Sequence, residues 1–384
     1  MFRTNRVTAI FAFAIAVAAC EGVGAGGRSE PAKQPSSQTA AAPQSTSAAS
    51  TSTTTTTAAP LTGDPRAAVN KAHKDFGGLK EGKNADYIPV LAKVDSKLYG
   101  IAIVTVDGEV YEVGDVKHGF SIQSVSKIFT AARLLEDLGK DAVEKKIGAD
   151  ATGMPFNSII AVEMDKKHLP KNPLVNPGAI AAVSLLPANN AQERWAKING
   201  TLEGFAGRKL EIDQQVYKSE SDTNTRNRSI SWLLKAYDVI PGDPMEALDL
   251  YTRQCSVSVN AHDLAVMGAT LANGGVNPVT HKQVVSRENA ARVLSIMMTA
   301  GLYETTGQWS FNVGVPAKSG VGGGIVAVVP GRYAIGTFSP PLDDAGNSVR
   351  GQRAIASIID GLGGNVFMAN AKGAEATHAS HGMQ

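Results

Sequence analysis

Ser124 and Lys127 have the residue types and the three-residue spacing of a nucleophile and its base. At the start of a predicted helix, this spacing projects the two side chains from the same face. Such a lysine can accept the serine proton if burial lowers its pKa enough to leave it neutral. The free backbone N–H groups at a helix N-terminus also stabilise a developing oxyanion. A Ser-x-x-Lys match occurs by chance about once or twice in a chain of this length, so a capping serine with a solvated lysine is the alternative.

A second candidate motif is Lys318-Ser319-Gly320, which is followed by Val321 and three glycines. It leads directly into the β-prone run Ile325 to Val329. Small residues on a strand allow a substrate or an oxyanion to approach the main chain closely. A phosphate-binding loop would be followed by a helix, so that function is disfavoured, and a glycine-rich loop without a ligand is the alternative.

The elements that would position these residues show both strand and helix periodicity. Turn dipeptides between apolar, β-prone runs predict a hairpin near each end of the folded part. The hairpins are Tyr99 to Val106 with Glu109 to Val113, and Ile325 to Val329 with Tyr333 to Phe338. Helices are predicted at Val125 to Leu138, Ile230 to Tyr237, Pro244 to Gln254, Ala261 to Ala272, Ser286 to Ala300 and Gln352 to Leu362. The predicted fold class is α+β, with an antiparallel sheet built from both chain ends and packed against a helical middle region.

The two motifs, in this order, resemble those of the serine β-lactamase and penicillin-binding protein superfamily. The surrounding sequence narrows the resemblance to one family. It is carried by Phe120 to Ser124, Pro155 to Ser158, Asn172 to Ile180, Tyr251 with Gln254 to Ser256, and Pro316 to Gly324. These stretches resemble the bacterial and mitochondrial glutaminase family over nearly all of the folded part. The resemblance implies a β-lactamase-like fold and hydrolysis of L-glutamine to L-glutamate and ammonia.

The resemblance also assigns catalytic roles to single residues. Ser124 would attack the side-chain carboxamide, with Lys127 as its base, to form a γ-glutamyl ester that water then hydrolyses. The backbone N–H groups of Ser124 and Val321 would hold the oxyanion. Tyr303, with Tyr87 as a second candidate, resembles the family tyrosines that move protons between lysine, ammonia and serine.

Further residues match those that bind the zwitterionic end of glutamine in the family. Glu220 would bind the α-ammonium group through a charge-assisted contact. Asn176, Asn227 and Tyr251 would hold the α-carboxylate and orient the amide. Ser124, Tyr303 and Val321 would also contact the substrate. Because the family commonly forms dimers or tetramers, a homodimer or homotetramer is expected.

Two positions depart from the usual family pattern. Pro177 stands where the family usually has alanine, which stiffens the loop and removes one backbone N–H. The stretch Thr223 to Arg228 keeps Asn227 but lacks the glycine-aspartate pair commonly found before Arg-Asn-Arg. We expect these differences to affect substrate affinity or selectivity rather than catalysis.

The N-terminal residues 1–20 have the features of an export signal. Arg3 and Arg6 precede the apolar run Val7 to Ala19, which is shorter than the ~20 residues of a membrane-spanning helix. Val17 to Cys20 resembles the lipobox of bacterial lipoproteins, so Cys20 is expected to be lipidated and to anchor the protein at the cell envelope, in the periplasm or on the outer face. A plain signal peptide, with a secreted or periplasmic product, is the alternative.

Composition divides the rest of the chain. Residues 21–63 are rich in Ala, Ser, Thr and Pro, which predicts a disordered linker. Residues 64–367 are predicted to form the catalytic domain, and residues 368–384 are predicted to form a disordered tail. The other cysteine is Cys255, so no intramolecular disulfide is expected once Cys20 is lipidated.

Charge and histidine spacing exclude several function classes. The net charge is only +2 and the basic residues are scattered, which argues against a nucleic-acid partner. The histidines lack metal-ligand spacing, so no metal and no organic cofactor are expected. Two alternatives to a glutaminase remain: a β-lactamase or penicillin-binding hydrolase, and an amino-acid-binding lipoprotein that has lost turnover. Retention of Ser124, Lys127, Tyr303 and the Lys318-Ser319-Gly320 strand argues against the latter, because binding alone needs no nucleophile with a base.

Overall fold

The computed structural model describes residues 61–368. Its strands are β1 Gly100–Thr105, β2 Val110–Gly114, β3 Phe120–Ser121, β4 Ser258–Val259, β5 Ala317–Ser319, β6 Gly324–Val329 and β7 Tyr333–Phe338. Its helices are α1 Pro65–Phe76, α2 Ser126–Leu138, α3 Lys140–Lys146, α4 Ile160–Glu163, α5 Asn176–Leu185, α6 Ala191–Ala206, α7 Gln214–Thr223, α8 Thr225–Ala236, α9 Pro244–Cys255, α10 Ala261–Ala272, α11 Arg287–Ala300, α12 Thr306–Asn312 and α13 Val349–Leu362. Short 3-10 turns occupy Leu91–Lys93, Gln123–Val125 and Tyr303–Thr305. None of the described helices is both long and apolar enough to span a bilayer.

The predicted export signal with Cys20 lies outside the described residues, as do residues 21–60 of the predicted linker and residues 369–384 of the predicted tail. The proposed boundaries of these segments stay predictions.

Five strands form one antiparallel sheet in the order β2-β1-β7-β6-β5. Both predicted hairpins are confirmed, since β1 pairs with β2 and β6 pairs with β7. β1 also pairs with β7, with Ile103 opposite Ile335, which joins the two ends of the folded part. The α+β prediction is therefore confirmed. β5, which carries Lys318, lies at one edge of this sheet.

Helices cover both faces of the sheet, which is why β1, β6 and β7 are buried along their whole length. α10 packs across one face, and α1 and α13 pack across the other. Gly336 in β7 makes the first contact possible, because a Cβ there would lie 2.2 Å from the carbonyl oxygen of Ala261 at the start of α10.

The predicted helices correspond to α2, α8, α9, α10, α11 and α13. α8 begins at Thr225, five residues before the predicted start at Ile230. The prediction missed its first turn because that turn is polar and lacks apolar periodicity. The periodicity does not predict α5, whose residues Asn176 to Ser184 are all buried. A helix that is buried on every side has no alternation of apolar and polar residues to reveal it. Several shorter or more polar helices, α1, α3, α4, α6, α7 and α12, are also absent from the prediction.

Candidate active site

Ser124 lies in the turn that joins β3 to α2. The chain passes through the 3-10 turn Gln123–Val125 before the α-helix begins at Ser126. Gln123 adopts a left-handed backbone with φ +48°, which is unfavourable for a residue with a Cβ. Ser126 Oγ donates to the carbonyl oxygen of Gln123 at 2.7 Å and stabilises the turn. The turn places Ser124 just before the helix N-terminus, where it is 5% exposed.

The end of β5 lies directly against this turn. A Cβ at Gly320 would come 2.8 Å from the carbonyl oxygen of Ile122 and 3.2 Å from the backbone nitrogen of Ser124. Only glycine allows the Lys-Ser-Gly strand to approach the candidate nucleophile so closely. Val321 follows Gly320 immediately in the chain.

Lys127 is buried in the first turn of α2. Its Nζ donates to Asn176 Oδ1 at 2.6 Å. Burial lowers the pKa of this lysine to about 8. The neutral, proton-accepting amine is therefore far more populated near neutral pH than in a solvated lysine.

Asn176 connects several of the predicted binding residues. It lies in the first turn of α5, and its Oδ1 accepts from Tyr251 at 3.1 Å as well as from Lys127. Its Nδ2 donates to Asn227 Oδ1 on α8 at 2.9 Å. The structure thus brings Lys127, Asn176, Tyr251 and Asn227 into one hydrogen-bonded network.

Glu220 is a buried carboxylate on α7. Gln123 Nε2 donates to Glu220 Oε2 at 3.2 Å. Burial raises the pKa of Glu220 to about 7, although the bond from Gln123 and the charge of Lys127 act in the opposite direction. A buried carboxylate of this kind favours a cationic partner.

Tyr303 lies close to Ser124, whose side chain acts to lower the pKa of the Tyr303 hydroxyl against the effect of burial. The Tyr303 hydroxyl donates to the carbonyl oxygen of Ser319 at 3.4 Å. The Phe156 ring packs against it with 4.7 Å between centroids. Burial raises the pKa of Tyr303 to about 12, and its backbone is left-handed with φ +58°.

Tyr87 lines an open part of the same region. It is 53% exposed, yet the protein packed around its hydroxyl, together with the charges of Tyr303 and Glu220, raises its pKa well above the ordinary value. Its neighbour Ile88 packs in one cluster with Val216 of α7 and with Val321. This cluster holds the Tyr87 loop next to the site.

The sequence prediction gives three buried residues of the site no individual role, although Lys318 belongs to the Lys-Ser-Gly motif. Gln123 contacts Glu220, and Lys318 Nζ donates to the carbonyl oxygen of Ser319 at 2.6 Å. Cys255 is a buried free cysteine, and burial raises the pKa of its thiol. The position of Lys318 between two small residues before a buried strand is a sequence signal of burial, whereas no pattern predicts the left-handed backbone of Gln123.

Pro177, one of the two departures from the family pattern, costs helix α5 no hydrogen bond. It lies in the first turn of α5, where a backbone N–H has no intrahelical acceptor. The missing N–H is therefore not one that the helix needs.

A sequence model of the glutaminase family matches residues 82–367. The chain belongs to the glutaminase family. It is similar to the glutaminase of Brucella canis, 52% identical over 308 residues that cover 80% of this chain and 96% of that protein. It is equally similar to the glutaminase of Colwellia psychrerythraea, 52% identical over 302 residues that cover 79% of this chain and 97% of that protein.

Solved structures of the family share the fold. Probable glutaminase ybaS superposes with a TM-score of 0.78 at 51% identity, covering 79% of this chain and 98% of that chain. Mglu in its glutamate form superposes with a TM-score of 0.72 at 39% identity, covering 76% of this chain and 67% of that chain. The predicted β-lactamase-like fold and the predicted enzyme class, an amidohydrolase of the glutaminase family, are confirmed.

Within residues 61–368, no group of three or more His, Cys, Asp or Glu side chains is arranged to hold a metal ion. The site described above consists of amine, hydroxyl, amide, carboxylate and thiol groups.

Proposed function

We propose that this protein hydrolyses L-glutamine through an acyl-enzyme intermediate on Ser124, with Lys127 as the base. The observation that carries the proposal is a lysine buried one helical turn from Ser124, with a pKa lowered to about 8. Membership of the glutaminase family supports the substrate. The glutamate form of Mglu supports it too, because glutamate is the expected product.

In the first half of the reaction, neutral Lys127 accepts the Ser124 proton as Oγ attacks the side-chain carbonyl carbon of glutamine. The backbone N–H groups of Ser124 and Val321 stabilise the oxyanion. Tyr303 donates its proton to the leaving amide nitrogen, the C–N bond breaks and ammonia departs, and protonated Lys127 returns the proton taken from Ser124 to Tyr303. In the second half, water attacks the γ-glutamyl ester, the ester C–O bond breaks, and Ser124 regains a proton as glutamate leaves.

We expect the two charged groups of the glutamine zwitterion to bind to different residues of the site. Glu220, ionised, would accept hydrogen bonds from the α-ammonium group. Asn176, Asn227 and Tyr251 would hold the α-carboxylate and the carboxamide through amide and hydroxyl donors. Tyr87, which lines the open side of the site, would contact the substrate as it enters.

The test combines ammonia release with mass spectrometry on the purified protein. Wild type should release ammonia from L-glutamine, and a γ-glutamyl adduct trapped by rapid acid quenching should map to Ser124. Ser124→Ala should lose both signals. Ser229→Ala removes an exposed hydroxyl on α8 and should still form the adduct. Turnover by Ser124→Ala would contradict the proposed nucleophile.

Two further measurements on the purified wild-type protein distinguish a glutaminase from a penicillin-binding hydrolase and from a binding protein. A penicillin adduct on Ser124 without glutamine turnover would indicate a penicillin-binding hydrolase. A thermal shift with glutamine but no ammonia would indicate a binding protein.

We further propose that the protein is exported and anchored to the cell envelope through a lipid on Cys20. The apolar run before Cys20 and the lipobox-like Val17 to Cys20 support this. Cys20→Ser should move the protein from the membrane fraction to the soluble fraction, and unchanged fractionation would contradict the anchor. A homodimer or homotetramer is proposed from the family alone, and light scattering on the purified protein measures it.

A further inference from the structure

Residues 79–98 form a long loop between α1 and β1 that passes beside the site. Apart from the 3-10 turn Leu91–Lys93 and a single bridge between Lys83 and Leu342, this loop contains no helix or strand. Connections of this length without regular structure are uncommon in compact domains and are often functional. The 79–98 loop carries Tyr87, which is proposed to contact the substrate at the open side of the site. The contacts that hold the loop in place therefore bear on substrate binding.

Arg350 joins the two ends of the 79–98 loop. Its guanidinium donates to the Leu79 carbonyl oxygen at the start of the loop, through Nε at 3.1 Å and Nη2 at 2.8 Å. Its Nη1 donates to the carbonyl oxygens of Ser96 at 2.9 Å and Leu98 at 3.5 Å, at the end of the loop. The planar fork of an arginine can bind several acceptors at once in this way. One side chain thus closes the neck of the loop, which these three residues form.

Arg350 is buried without an anionic acceptor among these contacts. It lies in the first turn of α13 and is 6% exposed. Nη1 also lies 3.4 Å from Ser339 Oγ, so all of the acceptors named are neutral oxygens. Burying a cation costs free energy, and neutral oxygens offset less of that cost than a carboxylate would. This arrangement indicates that Arg350 serves to fix the backbone of the loop.

The middle of the loop contacts the site. The backbone N–H of Val90 donates to Ser219 Oγ at 3.4 Å, and Ser219 directly precedes Glu220 on α7. Ile88, next to Tyr87, packs in the small apolar cluster described above. These contacts are few, and the Tyr87 side chain is 53% exposed. The closed neck therefore supplies much of the restraint that keeps the middle of the loop on α7.

We propose that Arg350 is a positioning residue that keeps Tyr87 at the site by closing the neck of the 79–98 loop. A loop with joined ends has few conformations to adopt, so its middle remains docked on α7. With the neck open, the loop would leave α7 for part of the time, and glutamine would find a complete binding surface only in the remaining molecules. The inference rests on the proposed function, in which Tyr87 contacts glutamine.

Steady-state kinetics of Arg350→Met tests the inference. If glutamine binds only to molecules with a docked loop, KM should rise roughly tenfold when about one molecule in ten is docked. Saturating glutamine holds the loop in place, so kcat should change by less than about twofold. Arg353→Met is the matched control, since Arg353 is exposed on the same helix, and it should keep the wild-type KM. A lower kcat with an unchanged KM would overturn the inference.

A double-mutant cycle tests whether Arg350 acts through Tyr87. In the Tyr87→Ala background there is no phenol to position, so Arg350→Met should raise KM by less than about twofold. Increases in KM that multiply independently would show that Arg350 acts elsewhere and would overturn the inference.

Arg350→Lys tests the geometry of the neck and provides a second variant if Arg350→Met does not fold. Lysine keeps the charge, but its ammonium group cannot bind carbonyls at both ends of the loop as a planar fork does. Its KM should therefore lie between those of wild type and Arg350→Met. A KM above that of Arg350→Met would show that the charge, rather than the closed neck, decides binding, and would overturn the inference.

Limited digestion with trypsin, without substrate, separates loop docking from overall stability. The loop carries four exposed lysines, Lys80, Lys83, Lys93 and Lys97. Because cleavage requires local opening, Arg350→Met should speed cleavage after these lysines roughly tenfold and cleavage elsewhere by less than about twofold. Mass spectrometry of the fragments identifies the sites. Faster cleavage throughout the chain would show a general effect on stability and would overturn the inference.

The digestion also distinguishes failure of this inference from failure of the proposed function. Cleavage of the loop is measured without turnover, so a wild-type protein that releases no ammonia from glutamine counts against the proposed function alone. Unchanged cleavage of the loop in both Arg350→Met and Arg350→Lys overturns the role of Arg350, even where the wild type hydrolyses glutamine.

Discussion

Gln123 donates to Glu220 at 3.2 Å, so the residue before the candidate nucleophile also contacts the carboxylate proposed to bind the α-ammonium group. The two residues are 97 positions apart in the chain. Since the Gln123 backbone is left-handed, its side chain reaches Glu220 from a turn whose conformation also places Ser124. Gln123 therefore contributes both to the proposed binding of the substrate and to the placement of the candidate nucleophile.

Two substitutions at Gln123 separate these contributions. Gln123→Ala and Gln123→Gly both remove the hydrogen bond, and a bond to a charged group contributes about 1.5–3 kcal/mol, so KM should rise roughly tenfold or more in both. Gly relieves the left-handed strain while Ala does not, so kcat should fall further in Gln123→Ala. Steady-state kinetics on glutamine measures both effects. A KM that rises in only one variant would show that the hydrogen bond is not the cause.

The pH dependence of kcat/KM should reflect Lys127 and Glu220. The pKa of Lys127 is about 8 and that of Glu220 about 7. Because the reaction needs neutral lysine and ionised carboxylate, kcat/KM should rise with pH through this range and then level off. Asn176→Asp places a carboxylate beside Lys127 Nζ, which favours the ammonium form and should move the rise about one to three pH units higher. An equal loss of activity at every pH would contradict this role of Lys127.

Glu220→Gln should lower the activity and raise the melting temperature. The pKa of Glu220 is raised by burial from 4.5 to about 7, so its ionisation destabilises the folded protein as pH rises through that interval. The loss in free energy of unfolding is absent below the pKa that Glu220 has in the unfolded chain. It is complete above the pKa in the folded protein, where it amounts to about 3 kcal/mol. The variant should therefore melt several degrees higher than wild type at pH 8, with no difference below pH ~4. Melting curves at the two pH values test this, and an equal gain at both would point to a cause other than ionisation.

Gly320→Ala should lower kcat, because its Cβ would meet the Ile122 carbonyl at 2.8 Å and the Ser124 nitrogen at 3.2 Å. The clash displaces one of the two backbone segments proposed to hold the oxyanion, and loss of one such donor costs about 10²–10³ in kcat. Gly307→Ala on α12 is the control, since nothing lies within 4 Å of its added Cβ. The control should keep wild-type activity and gain up to ~1 kcal/mol of helix stability. Wild-type kcat in Gly320→Ala would exclude a tight oxyanion site here.

The hairpins of the sheet were predictable because short stretches of neighbouring residues indicate their strands and turns. Asp107-Gly108 and Pro330-Gly331 each separate two apolar runs, and hairpin pairing follows from such short-range patterns. The pairing of β1 with β7 follows from where the hairpins lie in the chain, since both must bury an apolar face on common helices. The family motifs then identified which ends of these elements form the site.

Long-range side-chain contacts were not predictable from local patterns. The network around Asn176 joins residues from α2, α5, α8 and α9, and each of them taken alone resembles an ordinary polar residue. The left-handed backbones of Gln123 and Tyr303 leave no mark on the sequence, because tertiary contacts impose them on residues that do not prefer them.

The pairing of β1 with β7 has a consequence for protein synthesis. Ser124 emerges from the ribosome early, whereas β5, β6 and β7 are translated near the end of the folded part. A nascent chain that lacks these strands has neither Gly320 nor Val321 to lie beside the serine. If these residues have the roles proposed above, the site is complete only after residues 303–338 have been translated and the closing hairpin has docked, and unfinished chains are expected to be inactive.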